Sequence, residues 1–169
     1  MTLIVCPLRD VEQVMNRNRP ARVVSLLSPE QYAPDIPTGM PRLLLRFHDI
    51  SEPRIGLIAP TQAMVSELLA FGAAWREPEP LLIHCWMGIS RSTAAALILA
   101  CALDPARDEA EIGGALRRAS PTATPNPLIV SIADQLLGRQ GRIVAAAASI
   151  GLGLEAPCGK PFELSARRL

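Results

Sequence analysis

The spacing of apolar and polar residues divides the chain into short strands in its first half and helices in its second. Apolar runs rich in Val, Leu and Ile are typical of strands, and they cover residues 2–6, 21–28, 41–49 and 81–84. Apolar residues repeated every three or four positions predict helices over 8–18, 61–75, 92–103, 108–119, 128–138 and 141–151. Four prolines and a glycine within residues 29–41 predict a loop.

This order of elements predicts an α/β fold. Strands alternate with helices up to residue 84 and helices follow, which favours a single domain with a small, mostly parallel sheet flanked by helices and a helix-rich C-terminal half. The run 81–84 is apolar on both faces, so we expect it at the centre of the sheet. Residues 1–155 are the expected domain. Residues 156–169 lack periodicity, and we expect a loosely attached tail in which Phe162 and Leu164 could dock.

Composition narrows the classes of protein without naming one. The chain has 169 residues, 49% of them hydrophobic, and a formal net charge of +1. That charge gives no general reason to expect nucleic acid or a membrane surface as a partner. The longest apolar runs, 94–103 and 143–154, are shorter than the roughly 18–20 residues that span a bilayer. We therefore expect a cytoplasmic protein, and the oligomeric state stays open.

The four cysteines show neither CxxC spacing nor His/Cys pairs suited to zinc. We accordingly expect no metal, no cofactor and no disulfide.

The segment LLIHCWMGISRST (81–93) carries the candidate chemistry, because a thiol and a guanidinium stand six residues apart where a strand becomes a helix. Backbone N–H groups of such a loop, together with the helix N-terminus, can form an anion cradle. Gly88 permits backbone torsions that a side chain would forbid, and the fork of Arg91 suits two oxygens of a tetrahedral anion. The expected phosphate-binding residues are Trp86, Met87, Gly88, Ile89, Ser90 and Arg91.

Cys85 is expected at the floor of this cradle. The field that holds an anion also stabilises a thiolate, and a thiolate below a phosphate monoester can attack phosphorus in line. Ser92 can donate a hydrogen bond to the sulfur when it later leaves. We expect His84 to orient the loop and not to act as a base.

The stretch HCWMGISRS resembles the signature of the protein tyrosine phosphatases, His-Cys-x5-Arg-Ser/Thr with an internal glycine. It looks closest to the compact dual-specificity-like branch and its bacterial relatives. The resemblance implies a phosphatase-like α/β fold and hydrolysis of phosphate monoesters through a phosphocysteine, on phosphorylated proteins or small esters. The chain has one tyrosine, Tyr32, and we find no aromatic recognition loop. No lysine lies between Cys85 and Arg91, which makes a polyphosphoinositide substrate less expected.

The resemblance also implies an aspartate that protonates the leaving group from a separate loop. Asp49 lies 36 positions before Cys85 and follows a predicted strand, so it should emerge at the same sheet edge. Asp35 and Glu52 are its competitors, and the neighbouring His48 has no assigned role.

Asn126, after Pro125, stands where the resembled branch carries a Pro-Asn pair at the start of a late helix. A helix N-cap explains it equally well, so a supporting role in the site and a capping role both stay open.

Two other classes of function stay open beside the cysteine-dependent phosphatase. One is a pseudophosphatase that binds phosphate with little turnover. The other is a different thiol enzyme, such as a rhodanese-type sulfurtransferase or an arsenate reductase. Arsenate reductases need partner cysteines close by, and Cys101 lies 16 residues further along the predicted helix, about 24 Å of helical rise away.

Overall fold

A five-stranded sheet forms the centre of the protein in the computed structural model, which describes residues 1–167. The strands are β1 (Thr2–Pro7), β2 (Arg22–Leu27), β3 (Arg42–Arg46), β4 (Leu81–Cys85) and β5 (Phe162–Ser165). Their order across the sheet is β3-β2-β4-β1-β5. The first four strands are parallel and β5 is antiparallel to β1. The predicted α/β class and the central position of residues 81–84 are confirmed.

Helices cover both faces of the sheet. After a short 3-10 turn (Leu8–Asp10) come α1 (Val11–Asn18), α2 (Gln62–Ala73), α3 (Arg91–Leu103), α4 (Glu109–Ala119), α5 (Pro127–Leu136) and α6 (Arg142–Ser149). The side chain of Asp108 caps α4, and that of Asn126 caps α5, one of the two roles that the sequence left open. Within residues 1–167, no helix is both long enough and apolar enough to cross a membrane.

Side chains of β1 and β4 alternate between two cores, as the period of a strand requires. Leu3, Val5 and Ile83 join the larger core, to which α2 to α6 contribute, whereas Ile4 and Leu82 join a smaller core with α1. Helix α3 is buried along nearly its whole length, which accounts for its uniformly apolar sequence. The strand that ends at Cys85 and the helix after it are therefore the most deeply packed part of the molecule.

The C-terminal segment differs from the expected loose tail. Residues Phe162–Ser165 form β5, whose register pairs Val5 with Phe162 and Leu3 with Leu164. Phe162 and Leu164 are buried, and Glu163 and Ser165 between and after them are exposed. The docking of Phe162 and Leu164 that the sequence left open is thus present. The loose attachment expected of residues 162–165 is not, because four alternating residues are too few to indicate a strand from sequence. The last two residues of the predicted tail lie outside the described residues.

The parallel register brings four loops to one edge of the sheet. Cys85, the last residue of β4, lies opposite Pro7 of β1 and Leu26 of β2. Strand β3 ends at Arg46, opposite Leu27. Because the carboxyl ends of parallel strands share an edge, the segments that follow β1, β2, β3 and β4 meet there.

Candidate active site

The thiol of Cys85 lies at the carboxyl end of the central strand and is surrounded by hydrogen-bond donors. Cys85 is 2% exposed. The Gly88 N–H donates to its Sγ at 3.2 Å, and Ser92 Oγ lies 3.1 Å from the same sulfur. A thiolate accepts such bonds more strongly than a thiol because the acceptor is charged. The structure therefore places the predicted Cys85 and Ser92 in contact.

The backbone of residues 85–91, here termed the Cys85 loop, is held from outside through its carbonyl oxygens. Backbone N–H groups of three other segments donate to them: Leu8 to Trp86 (3.2 Å), Gly159 to Met87 (2.8 Å), and, from the loop before α5, Thr124 to Ile89 (2.9 Å) and Asn126 to Ser90 (3.4 Å). In a trans peptide the C=O and the following N–H point in opposite directions. Carbonyls turned outward thus turn the next N–H groups inward, and the Gly88 N–H that reaches Cys85 Sγ is one of them.

Position 88 requires glycine for two separate reasons. Its φ is +69°, in the left-handed region. A Cβ at this position would stand 2.7 Å from the backbone nitrogen of Pro7, at the end of β1. The glycine predicted for its torsions is therefore also required by close packing against the neighbouring strand.

Arg91 begins α3 and lies beneath the Cys85 loop, 3% exposed. Its Nη1 donates to Ser28 Oγ (3.1 Å) and to the Phe47 carbonyl (3.0 Å), and Nη2 donates to Gln31 Oε1 at 3.4 Å. Nε is buried and has no hydrogen-bond partner within the described part of the chain. An unpaired buried N–H is costly, so the Nε edge of the fork is the part left for an anion.

Asp49 reaches the Cys85 loop from the segment after β3. Ser90 Oγ donates to Asp49 Oδ1 at 2.7 Å, and Asn126 Nδ2 donates to the same oxygen at 2.8 Å. Asp49 Oδ2 lies 3.9 Å from Arg91 Nε. Asn126 also caps α5 by accepting from the Leu128 and Ile129 N–H groups. Both roles left open for Asn126, the cap and the contact with the site, are present together.

The two competitors of Asp49 lie elsewhere. Asp35 is exposed in the loop before β3, where its charge acts on Arg42. Glu52 is exposed, and its Oε1 lies 3.5 Å from Arg54 Nη2. Of the three acidic candidates, Asp49 is the one that hydrogen-bonds with the Cys85 loop.

His84 is fully buried, and its Nε2 lies 2.7 Å from Ser25 Oγ on the adjacent strand. Burial lowers the pKa of His84 to about 3, and the Arg42 charge adds to this effect. The imidazole is therefore neutral near pH 7 and is tied to β2, an arrangement that suits an orienting role and not that of a base.

Three residues that contact or support Arg91 were not predicted from the sequence. Ser28 and Gln31, in the loop after β2, both accept from its guanidinium. Arg46 holds that loop by donating to the backbone carbonyls of Ser28 and Gln31. No spacing rule links these positions, since 60 residues separate Gln31 from Arg91 and only the parallel pairing brings them together.

The rim of the Cys85 loop is aromatic and apolar. Trp86 and Met87 are 41% and 36% exposed. The Trp86 ring meets Tyr32 edge to face, with 6.0 Å between centroids. They line part of a cavity of about 190 Å³ that also includes Cys158, whose Sγ lies 3.5 Å from the Met87 carbonyl. Trp86 therefore forms the rim of the site and is not buried in the core, and Cys158 is a further thiol that the sequence did not connect with this loop.

Comparison with known proteins identifies the fold. No model of a protein family and no curated protein matches the sequence. Among solved structures, DUSP15 shares 21% identity over 88% of this chain and 85% of its own, with a TM-score of 0.61. Human DUSP28 shares 23% over 82% and 94%, with a TM-score of 0.61. PTPMT1 in complex with PI(5)P shares 15% over 86% and 94%, with a TM-score of 0.62.

The protein thus has the α/β fold of the protein tyrosine phosphatase superfamily. Within that superfamily its fold is the one found in dual-specificity phosphatases, as the resemblance of residues 84–92 implies. At these identities the likeness establishes the fold, and the activity is argued from the site itself.

Proposed function

We propose that the protein is a cysteine-dependent phosphatase that hydrolyses phosphate monoesters, with phosphotyrosine or dual-specificity protein substrates, through a phosphocysteine intermediate. The observation that carries this proposal is the contact between Asp49 and the Cys85 loop, through Ser90 Oγ at 2.7 Å. It joins a carboxyl group to the loop that holds the buried thiol and the buried guanidinium. Nucleophile, anion-binding fork and acid are the three parts that phosphoryl transfer to a thiol requires.

In the first step the phosphate dianion occupies the Cys85 loop. The inward N–H groups and the Nε edge of Arg91, whose Nε makes no hydrogen bond within residues 1–167, bind its oxygens. The Cys85 thiolate forms a bond to phosphorus while the bond from phosphorus to the ester oxygen breaks. That oxygen takes the proton of Asp49 as its negative charge develops.

In the second step a water molecule attacks phosphorus and the sulfur–phosphorus bond breaks. The water proton passes to the Asp49 carboxylate, which the first step left ionised. Ser92 Oγ, 3.1 Å from Sγ, donates to the departing thiolate. Inorganic phosphate then leaves and the resting thiolate is restored.

The apolar rim of the Cys85 loop favours binding of a phosphorylated protein over binding of a small phosphate ester. The exposed faces of Trp86, Met87 and Tyr32 present apolar surface next to the cradle. Side chains beside a phosphorylated residue can cover that surface. A small ester fills only the anion cradle and leaves this surface in water.

Hydrolysis of p-nitrophenyl phosphate with a chelator present and no added metal tests the proposal. We expect turnover that vanadate inhibits. Cys85→Ser should lower kcat by about 10³-fold or more, because a serine hydroxyl is not ionised in this field, while inorganic phosphate still binds. Cys158→Ser, a change at the partly exposed thiol near the same loop, serves as the matched control and should keep its activity.

Retention of a tenth of the activity by Cys85→Ser would contradict a covalent mechanism. Phosphate binding without turnover by the unaltered protein would instead indicate a pseudophosphatase. Sulfur transfer from thiosulfate would indicate a rhodanese-type enzyme. Cys101 is poorly suited to be the partner thiol that an arsenate reductase needs. Burial, together with the Glu109 charge, raises its thiol pKa to about 12.

A further inference from the structure

The segment that carries Asp49 has almost no packing to hold it in place. In residues 49–58, here termed the Asp49 loop, all eight positions from 51 to 58 are exposed. Inside the loop the Leu57 N–H donates to the Arg54 carbonyl at 3.1 Å. A segment without buried apolar contacts opens at low free energy. Hydrogen bonds at the two ends of the loop must therefore determine where it lies.

His48 makes the bonds that close these ends. The His48 N–H donates to the Ile58 carbonyl at 2.7 Å, and the Ile58 N–H donates back to the ring Nδ1 of His48 at 2.9 Å. The His48 carbonyl accepts from the Ile50 N–H at 3.0 Å. One residue thus joins the start of the loop to its end, directly before the candidate acid.

The ring of His48 is held on both sides. Because Nδ1 accepts a hydrogen bond, the proton of the neutral imidazole is assigned to Nε2. Nε2 faces Glu30 Oε2 at 3.4 Å. The ring is 20% exposed, so its place is set by these two partners and not by burial in a core. Histidine in this position supplies an acceptor at a fixed angle next to the chain that leads into Asp49.

We propose that His48 is a positioning residue for the acid step: its Nδ1 closes the Asp49 loop and so holds the Asp49 carboxyl against Ser90 and the leaving group. The proposal rests on the proposed phosphatase function. In this proposal His48 affects the reaction only by holding the Asp49 carboxyl in place. Loss of the Nδ1 acceptor should therefore slow the reaction only where the leaving oxygen needs a proton.

Two substitutions of His48 separate this role from a merely structural one. His48→Phe keeps a ring of similar size and removes the acceptor. His48→Asn keeps an acceptor, because the amide Oδ1 takes the position of Nδ1 relative to the backbone. Glu30→Gln removes the charge facing Nε2 but keeps a side-chain oxygen that can accept from Nε2–H, and it leaves the Ile58 bond, so it serves as the control for charge alone.

The readout is kcat for phenyl phosphate, a poor leaving group, against kcat for 2,4-dinitrophenyl phosphate, a good one. For His48→Phe we expect kcat to fall roughly tenfold on phenyl phosphate, a part of the usual contribution of a general acid, with less than a twofold change on the activated ester. His48→Asn and Glu30→Gln should stay within about twofold of the unaltered protein on both esters, since the acceptor to Ile58 is kept. In an Asp49→Asn background, His48→Phe should cause no further loss.

Equal slowing of both esters by His48→Phe, or equal loss in His48→Asn and His48→Phe, would overturn the positioning role. So would unchanged rates in His48→Phe. A failure of the proposed function looks different. It would appear as no turnover by the unaltered protein, or as no leaving-group dependence in Asp49→Asn.

Discussion

The Cys85 loop and the Asp49 loop lie side by side and are held in opposite ways. The Cys85 loop is fixed by backbone hydrogen bonds and burial: four of its carbonyls accept from three other segments of the chain, and Cys85, Gly88 and Arg91 are buried. The Asp49 loop is exposed from residue 51 to residue 58 and depends on a few hydrogen bonds from His48 and Asn126. One loop is preorganised by packing and the other by polar contacts that water can replace.

This difference matches the demands on the two parts of the site. In the proposed mechanism the anion cradle and the nucleophile act on every substrate, and rigid donors stabilise developing charge because they need no reorganisation. The proposed acid acts only when the leaving oxygen needs a proton. We therefore expect damage to the Cys85 loop to slow all esters alike, whereas damage to the Asp49 loop should depend on the leaving group.

The largest effect in this comparison is expected from Arg91→Lys. A point charge cannot replace the fork that donates to Ser28 and Phe47 and, in the proposed mechanism, also to the anion. We expect kcat/KM to fall by about 10³-fold on phenyl phosphate and on an activated aryl ester alike, as for loss of a transition-state donor. Steady-state kinetics on the two esters measures it, and near-normal rates would argue against a role of Arg91 in the transition state.

Arg22→Lys is the matched control for that substitution. Arg22 is also a buried arginine, 6% exposed, and it donates to Glu77 at 2.7 Å and to the Phe71 carbonyl at 3.1 Å. It lies at the other end of its strand, away from the Cys85 loop. Its replacement should cost stability and leave kcat/KM unchanged.

Gly88→Ala should be next in size and should again affect both esters. A side chain with φ near +69° costs about 1–2 kcal/mol, and the added Cβ would stand 2.7 Å from Pro7 N. Either the loop or β1 must shift, and a displacement of about 1 Å can lower the rate by about 10²-fold. Urea unfolding and kinetics on both esters measure the two effects.

Gly39→Ala separates backbone strain from the contact with Pro7. Gly39 has a φ of +88°, and a Cβ added there would meet no atom within 4 Å. This variant should lose stability through the torsion alone and keep full activity. If Gly88→Ala is no more harmful than Gly39→Ala, the close approach of the loop to β1 is not needed for catalysis.

Asp49→Asn tests the other loop, where the effect should be confined to poor leaving groups. The amide keeps the shape of the carboxyl and cannot supply a proton. We expect phenyl phosphate hydrolysis to slow by about 10²-fold, within the usual range for general acid catalysis, and the activated ester to slow much less. Asp35→Asn and Glu52→Gln are the controls, since neither side chain is near the Cys85 loop. If one of them reproduces the leaving-group-dependent loss and Asp49→Asn does not, the acid is misassigned.

The sequence predicted most of the Cys85 loop because its chemistry is local. The apolar run before Cys85, the glycine and the arginine at the helix start all lie within one short segment, so spacing alone constrains their geometry. Pattern reasoning likewise located the central strand, because burial on both faces leaves a continuous apolar run. The fold class followed from the alternation of strands and helices.

The contacts that hold the Asp49 loop and the Arg91 guanidinium could not be predicted in the same way. His48 meets Ile58 across an exposed loop, and Gln31 meets Arg91 across 60 residues. Neither pair leaves a periodic or spacing signal, because the contacts depend on strand register and loop path. The strand β5 was missed for a related reason, since its partner β1 lies at the other end of the chain.

The smallest effect, and the finest test of the comparison, is expected from Asn126→Ser. Serine caps a helix about as well as asparagine, so the bonds to Leu128 and Ile129 can be kept. The Nδ2 donor to Asp49 Oδ1 at 2.8 Å and to the Ile50 carbonyl at 3.1 Å is lost. We expect kcat on phenyl phosphate to fall by roughly threefold to tenfold, a small part of the general acid contribution, with the activated ester almost unaffected.

Asp108→Ser, the corresponding change at the cap of α4, should leave both rates unchanged because Asp108 caps a helix away from the site. Equal slowing of both esters by Asn126→Ser would mean that the Asn126 side chain fixes the segment whose N–H groups bind the Cys85 loop, and does not act on the acid alone. The two loops would then share one support, and the contrast between them would hold for His48 alone.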